Sequence, residues 1–581
     1  MAVAVKAPQV KMAACIDTIQ HVMRRLWVGP LFRWRFSGFR PHKILAYPID
    51  LHMADPMMAH EFYHGRFAFA GHIVHSGAVS PFSLMPPTLE WEAALHDFHW
   101  LRHMDAAESD LAAAHARALL EDWLDHAGKK VKGLAWSAPV VARRLISWIC
   151  HSKMLLEGAS ERFEKRFLRA LGVKFRYLRV TICSMEHNDQ RLQAAAALMF
   201  ASLALPVSVA VKKKVQTTLI EELSRQILLD GGHISRSPII LFNLLSDLLS
   251  LRYLFMRSNE TAPRILIDSV ERMLPALRFF IHEDQSLARF NGVGPLVSER
   301  LLKLLELDET GGHPFSYARY SGFQRLKANQ TTVLADTGKF PHHFVAQQAC
   351  SGCLSFEMSS QGHRFIINTG VNPNGLEDYR HLGRVTAAHS TATLNDCSVG
   401  TFYKKKKNSA SLLFNGPTDV QVQRIEDSGK TGFIASHNGY VRPFNLIHER
   451  GLILATSGDM IEGFDRFFMP NKGGKRHKRT QSEQDHVAVR FHLHPQVEVN
   501  YDGERVCLAV KDGHVEDEQV WYFISPDADI CLEDSIDFAA LEGPQRTQQI
   551  VLYFRPAFQE KVRWRFIRKA FDKKSEYYSN L

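Results

Sequence analysis

The sequence is poor in cysteine for its length, with eight cysteines among 581 residues. They are spread along the chain, which excludes a disulfide scaffold and predicts buried thiols. The one close pair, Cys350 and Cys353, follows His342 and His343 but has no second CxxC partner, so it is a weak signal for zinc. We predict neither a metal ion nor a cofactor.

Long apolar runs are also missing. No window of about 20 apolar residues offers a membrane span. The stretch from Met1 to Trp27 has no apolar run long enough to precede a secretory cleavage site. These features predict a protein without a membrane span and with a cytoplasmic location.

The charge balance is basic, with a formal net charge of +10 and a pI of about 9.1. A basic surface favours anionic partners, although basic proteins without such partners are common. The runs Lys404–Lys407 and Asn471–Arg479 are interpreted as solvated loops. They lack interleaved aromatic residues and any known module, so we do not predict nucleic-acid binding.

The period of the apolar pattern changes once along the chain. From about residue 106 to 305 apolar residues recur every three to four positions, which predicts successive helices. After the stretch Glu306–Ser316 short alternating segments separated by turns predict an antiparallel sandwich. We predict three regions: an aromatic-rich segment 1–100, a helical domain 101–310 and a β domain 317–581.

Five separated stretches resemble the heparinase II/III-like family, in the same order along the chain. They are WSAPVVARRLISW (136–148), ILLDGGHISRSP (227–238), LSFEMSSQGHRFIINTG (354–370), GRVTAAHSTATLND (383–396) and GYVRPFNLIHERGLIL (439–454). The resemblance implies an incomplete α/α toroid followed by an antiparallel β-sandwich, an α+β multidomain fold. It also implies binding of an acidic polysaccharide, β-elimination next to a uronate carboxylate, and a periplasmic location as the alternative to the cytoplasm.

This sequence departs from the family at the main base and at two metal ligands that the resemblance implies. The family's tyrosine falls two residues after Pro238, where this chain has Ile240, and isoleucine cannot transfer a proton. The family's His-x-His-x-Asp positions before the LSFE strand are Gln348, Cys350 and Gly352. His389 does match a family histidine. If the chain is a lyase, a histidine must therefore act as the base, with His233 or His389 as candidates.

The candidate residues come from these stretches. The predicted catalytic residues are His233, His389, His187 and Asn188. The predicted substrate-binding residues are Arg236, Arg191, Arg384, Tyr440, His448 and Arg450. Asn188 or Asp189 can equally cap the following helix. We expect His233 and Arg236, which follow two glycines, to face the groove between the two domains, where an arginine can grip a carboxylate.

Two functions remain open from the sequence. The first is a polysaccharide lyase that cleaves a uronate-containing polymer by β-elimination. The second is a catalytically degenerate carbohydrate-binding or scaffold protein on the same fold. Ile240 and Gln348 favour the second, whereas the family resemblance favours the first.

Overall fold

The computed structural model describes most of the chain as two compact units. The described residues are 38–77, 79–129, 131–308, 311–404, 411–427, 429–470, 482–511 and 519–569. By its contacts, the first unit comprises Met1–Ile227 and Asn243–Glu271. The second unit comprises Leu228–Phe242 and Arg272–Leu581. The Asn471–Arg479 run and Lys405–Lys407 lie outside the described residues.

The first unit is mainly helical and also holds a small hairpin of β1 (Arg66–Phe69) and β2 (His72–His75). Its helices are α1 (Met57–Tyr63), α2 (Leu89–Asp97), α3 (Leu101–Ala106), α4 (Asp110–His126), α5 (Ala138–Cys150), α6 (Ser152–Leu156), α7 (Glu161–Thr181), α8 (Asp189–Ala204) and α9 (Val209–Gln226). Two further helices, α10 (Pro238–Arg257) and α11 (Arg264–Phe279), each contribute residues to both units.

Four helices, α2, α4, α7 and α8, begin where a short polar side chain caps the first turn. Thr88, Ser109, Ser160 and Asn188 each accept a hydrogen bond from the backbone N–H three residues later. Such a cap satisfies one of the backbone donors that a helix start leaves without a partner and contributes about 1 kcal/mol.

Tryptophans form the centre of the helical core. Trp123 and Trp148 are fully buried and pack edge to face at 5.7 Å. Two buried basic side chains lie against these rings: the guanidinium of Arg144 is 4.2 Å from Trp123, and Lys174 Nζ is 3.8 Å from Trp148. The face of the indole ring partly compensates the guanidinium charge for its loss of water. Burial lowers the pKa of Lys174 well below its usual value.

The second unit contains two large antiparallel sheets. One has nine strands: β3 (Tyr317–Ala318), β4 (Phe323–Ala328), β5 (Thr331–Asp336), β6 (Phe356–Ser360), β7 (His363–Ile367), β8 (Ala392–Leu394), β15 (Val487–Leu493), β19 (Ile530–Asp537) and β20 (Gln545–Phe554). The other has eight: β11 (Val420–Asp427), β12 (Lys430–His437), β13 (Ile447–Ala455), β14 (Met460–Phe468), β16 (Glu498–Tyr501), β17 (Val506–Val510), β18 (Gln519–Ile524) and β21 (Lys561–Arg568).

The described residues also contain a separate pair of strands, β9 (Thr401–Lys404) and β10 (Ser411–Phe414). The helices α12 (Ser298–Glu306), α13 (Glu377–Leu382) and α14 (Val441–Phe444) are short. No described helix between residues 320 and 560 exceeds the six residues of α13. The change from helices to strands falls between α12 and β3, where the period of the sequence changes.

The two sheets share one hydrophobic core. Phe356 and Phe491 of the nine-stranded sheet contact Trp564 of the eight-stranded sheet, at ring distances of 5.6 and 5.0 Å. All three are fully buried, and each such side chain contributes roughly 2–3 kcal/mol through the hydrophobic effect. The unit is therefore a sandwich of two sheets.

Buried charges lie within this core. The carboxylate of Asp465 on β14 accepts hydrogen bonds from His448 (2.7 Å), from Arg450 on both of its oxygens (2.9 and 3.0 Å) and from Trp564 (3.0 Å). Arg450 also donates to the carbonyl oxygens of Leu354 and Ser390. Arg450 and His448 hold the pKa of Asp465 well below its usual value, although burial opposes ionisation.

One described helix has the length and composition of a membrane span, although the sequence offered no such window. It is α10, with a mean hydropathy of 1.6, and 72% of its apolar window is buried inside the protein. Burial of this kind is typical of a core helix, so the helix is weak evidence for a membrane.

Replacing Asp465 by asparagine removes the charge that compensates Arg450. We expect Asp465→Asn to lower the free energy of unfolding by about 3–5 kcal/mol, because it leaves a buried guanidinium without a counterion. Chemical denaturation measures this change. Asp502→Asn is the matched control, since Asp502 pairs with Arg505 in solvent and its loss should have little effect. Equal stability of the two variants would contradict the assigned role of Asp465.

Candidate functional site

The DGG segment, residues 230–232, packs closely against other backbone segments of the second unit. Asp230 accepts hydrogen bonds from the backbone N–H of Gly232 (3.1 Å), Tyr320 (2.8 Å) and Ser321 (2.7 Å). Gly231 has a φ of +79°, and a Cβ there would lie 2.0 Å from the carbonyl oxygen of Arg272. The glycine therefore permits a close approach within the second unit.

Arg236 is 8% exposed, and protein oxygens surround its guanidinium. Nε donates to the carbonyl of Ser321 (2.6 Å), Nη1 to Lys339 (2.9 Å), and Nη2 to Gly322 (3.2 Å) and to the carboxylate of Asp336. A Cβ at position 338 would lie 2.3 Å from Nη2, so the glycine there makes room for the guanidinium. We expected Arg236 to bind a carboxylate of the substrate. In the structure it binds the carboxylate of Asp336, which belongs to the protein itself.

His233 is 2% exposed, and its Nδ1 accepts the backbone N–H of Ser235 at 3.1 Å. Burial lowers its pKa to about 3. At neutral pH the imidazole is therefore uncharged and a weak base. A weak base transfers a proton from carbon inefficiently.

The two loops that carry the family's proton-transfer positions lie against each other. The hydroxyl of Ser237 donates to Oε1 of Gln348 at 3.5 Å. Asn291 bridges the loops: its Nδ2 donates to the carbonyl of Arg236 (2.9 Å), and its Oδ1 accepts the N–H of Cys350 (3.0 Å). The sequence marks Asn291 only as half of an Asn-Gly turn, so its bridging role was missed.

An apolar residue, Ile240, and a glycine, Gly352, occupy two of the positions at which this chain departs from the family. Ile240, on α10, is 7% exposed. A Cβ on Gly352 would lie 2.5 Å from Cδ2 of His389, so His389 fills the space that a side chain at 352 would need. His389 is 2% exposed, its Nδ1 lies 2.8 Å from the carbonyl of Val385, and burial lowers its pKa to about 4.

The two thiols of the CxxC pair are buried and donate to carbonyl groups. Cys350 contacts the carbonyl oxygen of Gln348 and Cys353 that of Gly338, both at 3.6 Å. Burial raises the pKa of Cys350 to about 11 and that of Cys353 further. A metal-binding thiolate is disfavoured under these conditions.

His187, Asn188 and Arg191 meet in the first unit. Asn188 caps α8, since its Oδ1 accepts the N–H of Arg191 at 3.2 Å. His187 Nδ1 and Arg191 Nε lie 2.7 and 2.8 Å from Oε1 of the buried Glu222. Arg191 also donates to the carbonyls of residues 182 and 185. Of these three, His187 is the most exposed, at 36% of its side chain.

Arg384 and Tyr440 donate hydrogen bonds to backbone carbonyl groups of the second unit. The guanidinium of Arg384 donates to the carbonyls of Ala349, Ser411 and Ala346. Tyr440 is fully buried and donates its hydroxyl to the carbonyls of Ala392 and Cys397, and burial raises its pKa. His448 and Arg450 belong to the Asp465 cluster. The structure thus distributes the predicted residues over several hydrogen-bonded groups.

A charged group that the sequence analysis missed surrounds Glu357 on β6. Its carboxylate contacts His282 (3.0 Å) and accepts the backbone N–H of Arg289 (3.1 Å) and Asn368 (3.0 Å). Burial opposes ionisation of Glu357, but His282 and the charges of Arg364 and Arg289 lower its pKa to about 2. The signal in the sequence was the glutamate inside an apolar strand, LSFEM, because a buried carboxylate requires partners.

Comparison with known proteins identifies the back half of the chain. Residues 310–565 match the family model described as Heparinase II/III-like, C-terminal. These residues are a heparinase II/III-like C-terminal domain. The family resemblance read from the five stretches is thereby confirmed.

Solved structures show the same fold over nearly the whole chain. Heparinase III aligns with a TM-score of 0.68 at 13% identity, covering 98% of this chain and 92% of that one. Heparan sulfate lyase HepC from Pedobacter heparinus aligns with a TM-score of 0.58 at 18% identity, covering 97% and 91%. The predicted fold, a helical toroid followed by a heparinase II/III-like β-sandwich, is confirmed.

A curated protein also matches along its length. FtsZ-localized protein C of Caulobacter vibrioides (strain NA1000 / CB15N) is 27% identical over 559 residues, which cover 94% of this chain and 94% of that protein.

Buried neutral histidines should make this protein sensitive to mild acid. The folded chain binds protons on His233 and His389 less readily than the unfolded chain, where histidine titrates near 6.5. Stability is therefore fully present above that pH and falls as the pH decreases towards 4, by roughly 1.4 kcal/mol per pKa unit. Urea unfolding at about pH 7.5 and about pH 5 measures this loss.

The variant His389→Gln should lose less stability between these two conditions than the wild type. His72→Gln, at an exposed position of β2, is the control and should keep the wild-type difference. An unchanged difference in His389→Gln would rule out protonation of His389 as a cause.

Proposed function

We propose that this protein is a catalytically degenerate member of the lyase fold, a binding or scaffold protein that acts where FtsZ is located. One observation carries the proposal. The resemblance implies a tyrosine base at position 240 and a His-x-His-x-Asp set at positions 348, 350 and 352, where this chain has Ile240, Gln348, Cys350 and Gly352. The two histidines offered as substitutes, His233 and His389, are each 2% exposed.

The chemistry of β-elimination explains why this observation matters. The reaction needs a base in contact with the sugar ring, and removal of such a base costs about a hundredfold to ten-thousandfold in rate. A buried imidazole with a pKa of about 3 or 4 is neither in contact with a polymer nor strongly basic near neutral pH.

The FtsZ part of the proposal derives from the relative. FtsZ-localized protein C matches this chain over 94% of both proteins. An alignment that covers both units supports a role that uses the whole chain. We propose the same localisation here, in keeping with the cytoplasmic location expected from the sequence.

Fluorescence microscopy tests the localisation. The chain fused to a fluorescent protein should coincide with labelled FtsZ in dividing cells that carry its gene. The variants His233→Gln and His389→Gln, if they fold, should coincide equally, because the proposal gives neither residue a catalytic role. The unfused fluorescent protein is the control. A signal that is independent of FtsZ in all of these cells would refute the localisation.

The second candidate function is a polysaccharide lyase acting on an acidic, uronate-containing polymer, which the fold of the heparinases favours. The purified chain, incubated with a panel of such polymers, should produce no ultraviolet absorbance of unsaturated uronate. Heparan sulfate lyase HepC on heparan sulfate is the positive control. Elimination above the blank would favour the lyase, and His233→Ala and His389→Ala would then be expected to lose at least about a hundredfold in rate.

A further inference from the structure

A second group of chemically reactive side chains lies in the first unit, apart from every residue discussed above. Asp50, His52 and His99 each offer one ligand atom, and these atoms lie within 4.8 Å of one another. Asp50 Oδ1 is 2.8 Å from His52 Nδ1, and the rings of His52 and His99 meet edge to face at 4.6 Å. The side chains of Asp50 and His52 are only 13% and 7% exposed.

Local backbone geometry fixes these three residues. Asp50 and His52 lie in an irregular segment before α1, and Asp50 Oδ1 also accepts the backbone N–H of His52. His99 lies in the turn between α2 and α3, directly after Phe98, which has a φ of +61°. Phe98 is fully buried against Trp100, Trp123 and Trp148, so the aromatic core holds the turn.

Further groups surround the cluster as they surround the ligands of known metal sites. His151 Nε2 lies 3.3 Å from the second oxygen of Asp50, and its Nδ1 lies 2.7 Å from Asp105. Outer histidine–carboxylate pairs of this kind orient metal ligands, and changing them typically weakens metal binding by about 10–100-fold.

We propose that Asp50, His52 and His99 bind a divalent transition-metal ion such as Zn²⁺, with His151 positioning Asp50. Two imidazoles and one carboxylate suit zinc and its neighbours, and leave a coordination position open for water or a substrate. Metal–ligand bonds of about 2.0–2.1 Å place tetrahedral ligands roughly 3.3 Å apart, so the ligand atoms must draw together by at most about 1.5 Å.

Arg102 is the group that the ion must displace. Its Nη1 lies 2.5 Å from Nε2 of His99, where it donates to an uncharged ring. The uncharged imidazole is also the form that ligates a metal. When the ion binds, it replaces this donor, and the guanidinium moves away from the ring.

The test uses the full chain, freed of metal with a chelator and titrated with Zn²⁺ in competition with a chromophoric chelator. Because the chain has 29 histidines, the relevant quantity is the difference between variants. The double variant His52→Gln/His99→Gln removes two ligands. The control His72→Gln/His75→Gln removes two histidines from β2, where both are exposed. Circular dichroism verifies folding.

We expect one tight equivalent of Zn²⁺ in the wild type and the control, and at least about a hundredfold weaker binding of that equivalent in the His52/His99 variant. Co²⁺ should give the absorption of a four- or five-coordinate site in the first two proteins only. Equal binding by all three proteins, or no tight equivalent in the wild type, overturns the proposal. If the double variant does not fold, Asp105→Asn decides: the proposal requires a 10–100-fold loss of affinity, and an unchanged affinity refutes it.

Discussion

The cost of burying a charge is the constraint on which the second unit depends. An isolated ionised group inside a protein is so unfavourable that it must be paired and hydrogen-bonded. Arg236 with Asp336, Arg450 with Asp465, and Glu357 with His282 all meet this requirement. Arg236 and Asp336 are 100 residues apart and His282 and Glu357 are 75 apart, so these two pairs also determine where the DGG loop and the sandwich loops lie.

For the proposed loss of lyase chemistry on a retained fold, this constraint offers a physical reason. In a lyase an arginine or histidine beside the substrate must remain available to it. Here the same segments provide partners for the protein itself: Arg236 binds Asp336 and three carbonyls, and His389 packs over Gly352. Such groups stabilise the fold whether or not a polymer is bound, so the heparinase-like architecture alone does not require activity.

Much of the fold could be predicted from the sequence, because period and order are local properties. The period of 3.6 before residue 306 and of 2 after residue 317 indicated the helices and the strands, and five ordered stretches indicated the family. The departures from the family at Ile240 and Gln348 could also be predicted, because an alignment of the motifs is enough to find them. Asn188 as a helix cap was one of two interpretations left open, and the structure contains that cap.

The partners of the candidate residues could not be predicted, because they come from remote positions. Nothing near Arg236 in the sequence indicates Asp336, one hundred residues away, and nothing near His99 indicates Asp50. We infer that Arg236, a predicted substrate-binding residue, instead stabilises the fold, and a double-mutant cycle of Arg236→Met and Asp336→Asn in urea unfolding tests this inference. The account predicts a loss of about 3–5 kcal/mol for each single variant and a much smaller loss for the double variant than the sum of the two. Wild-type stability of Arg236→Met would contradict it.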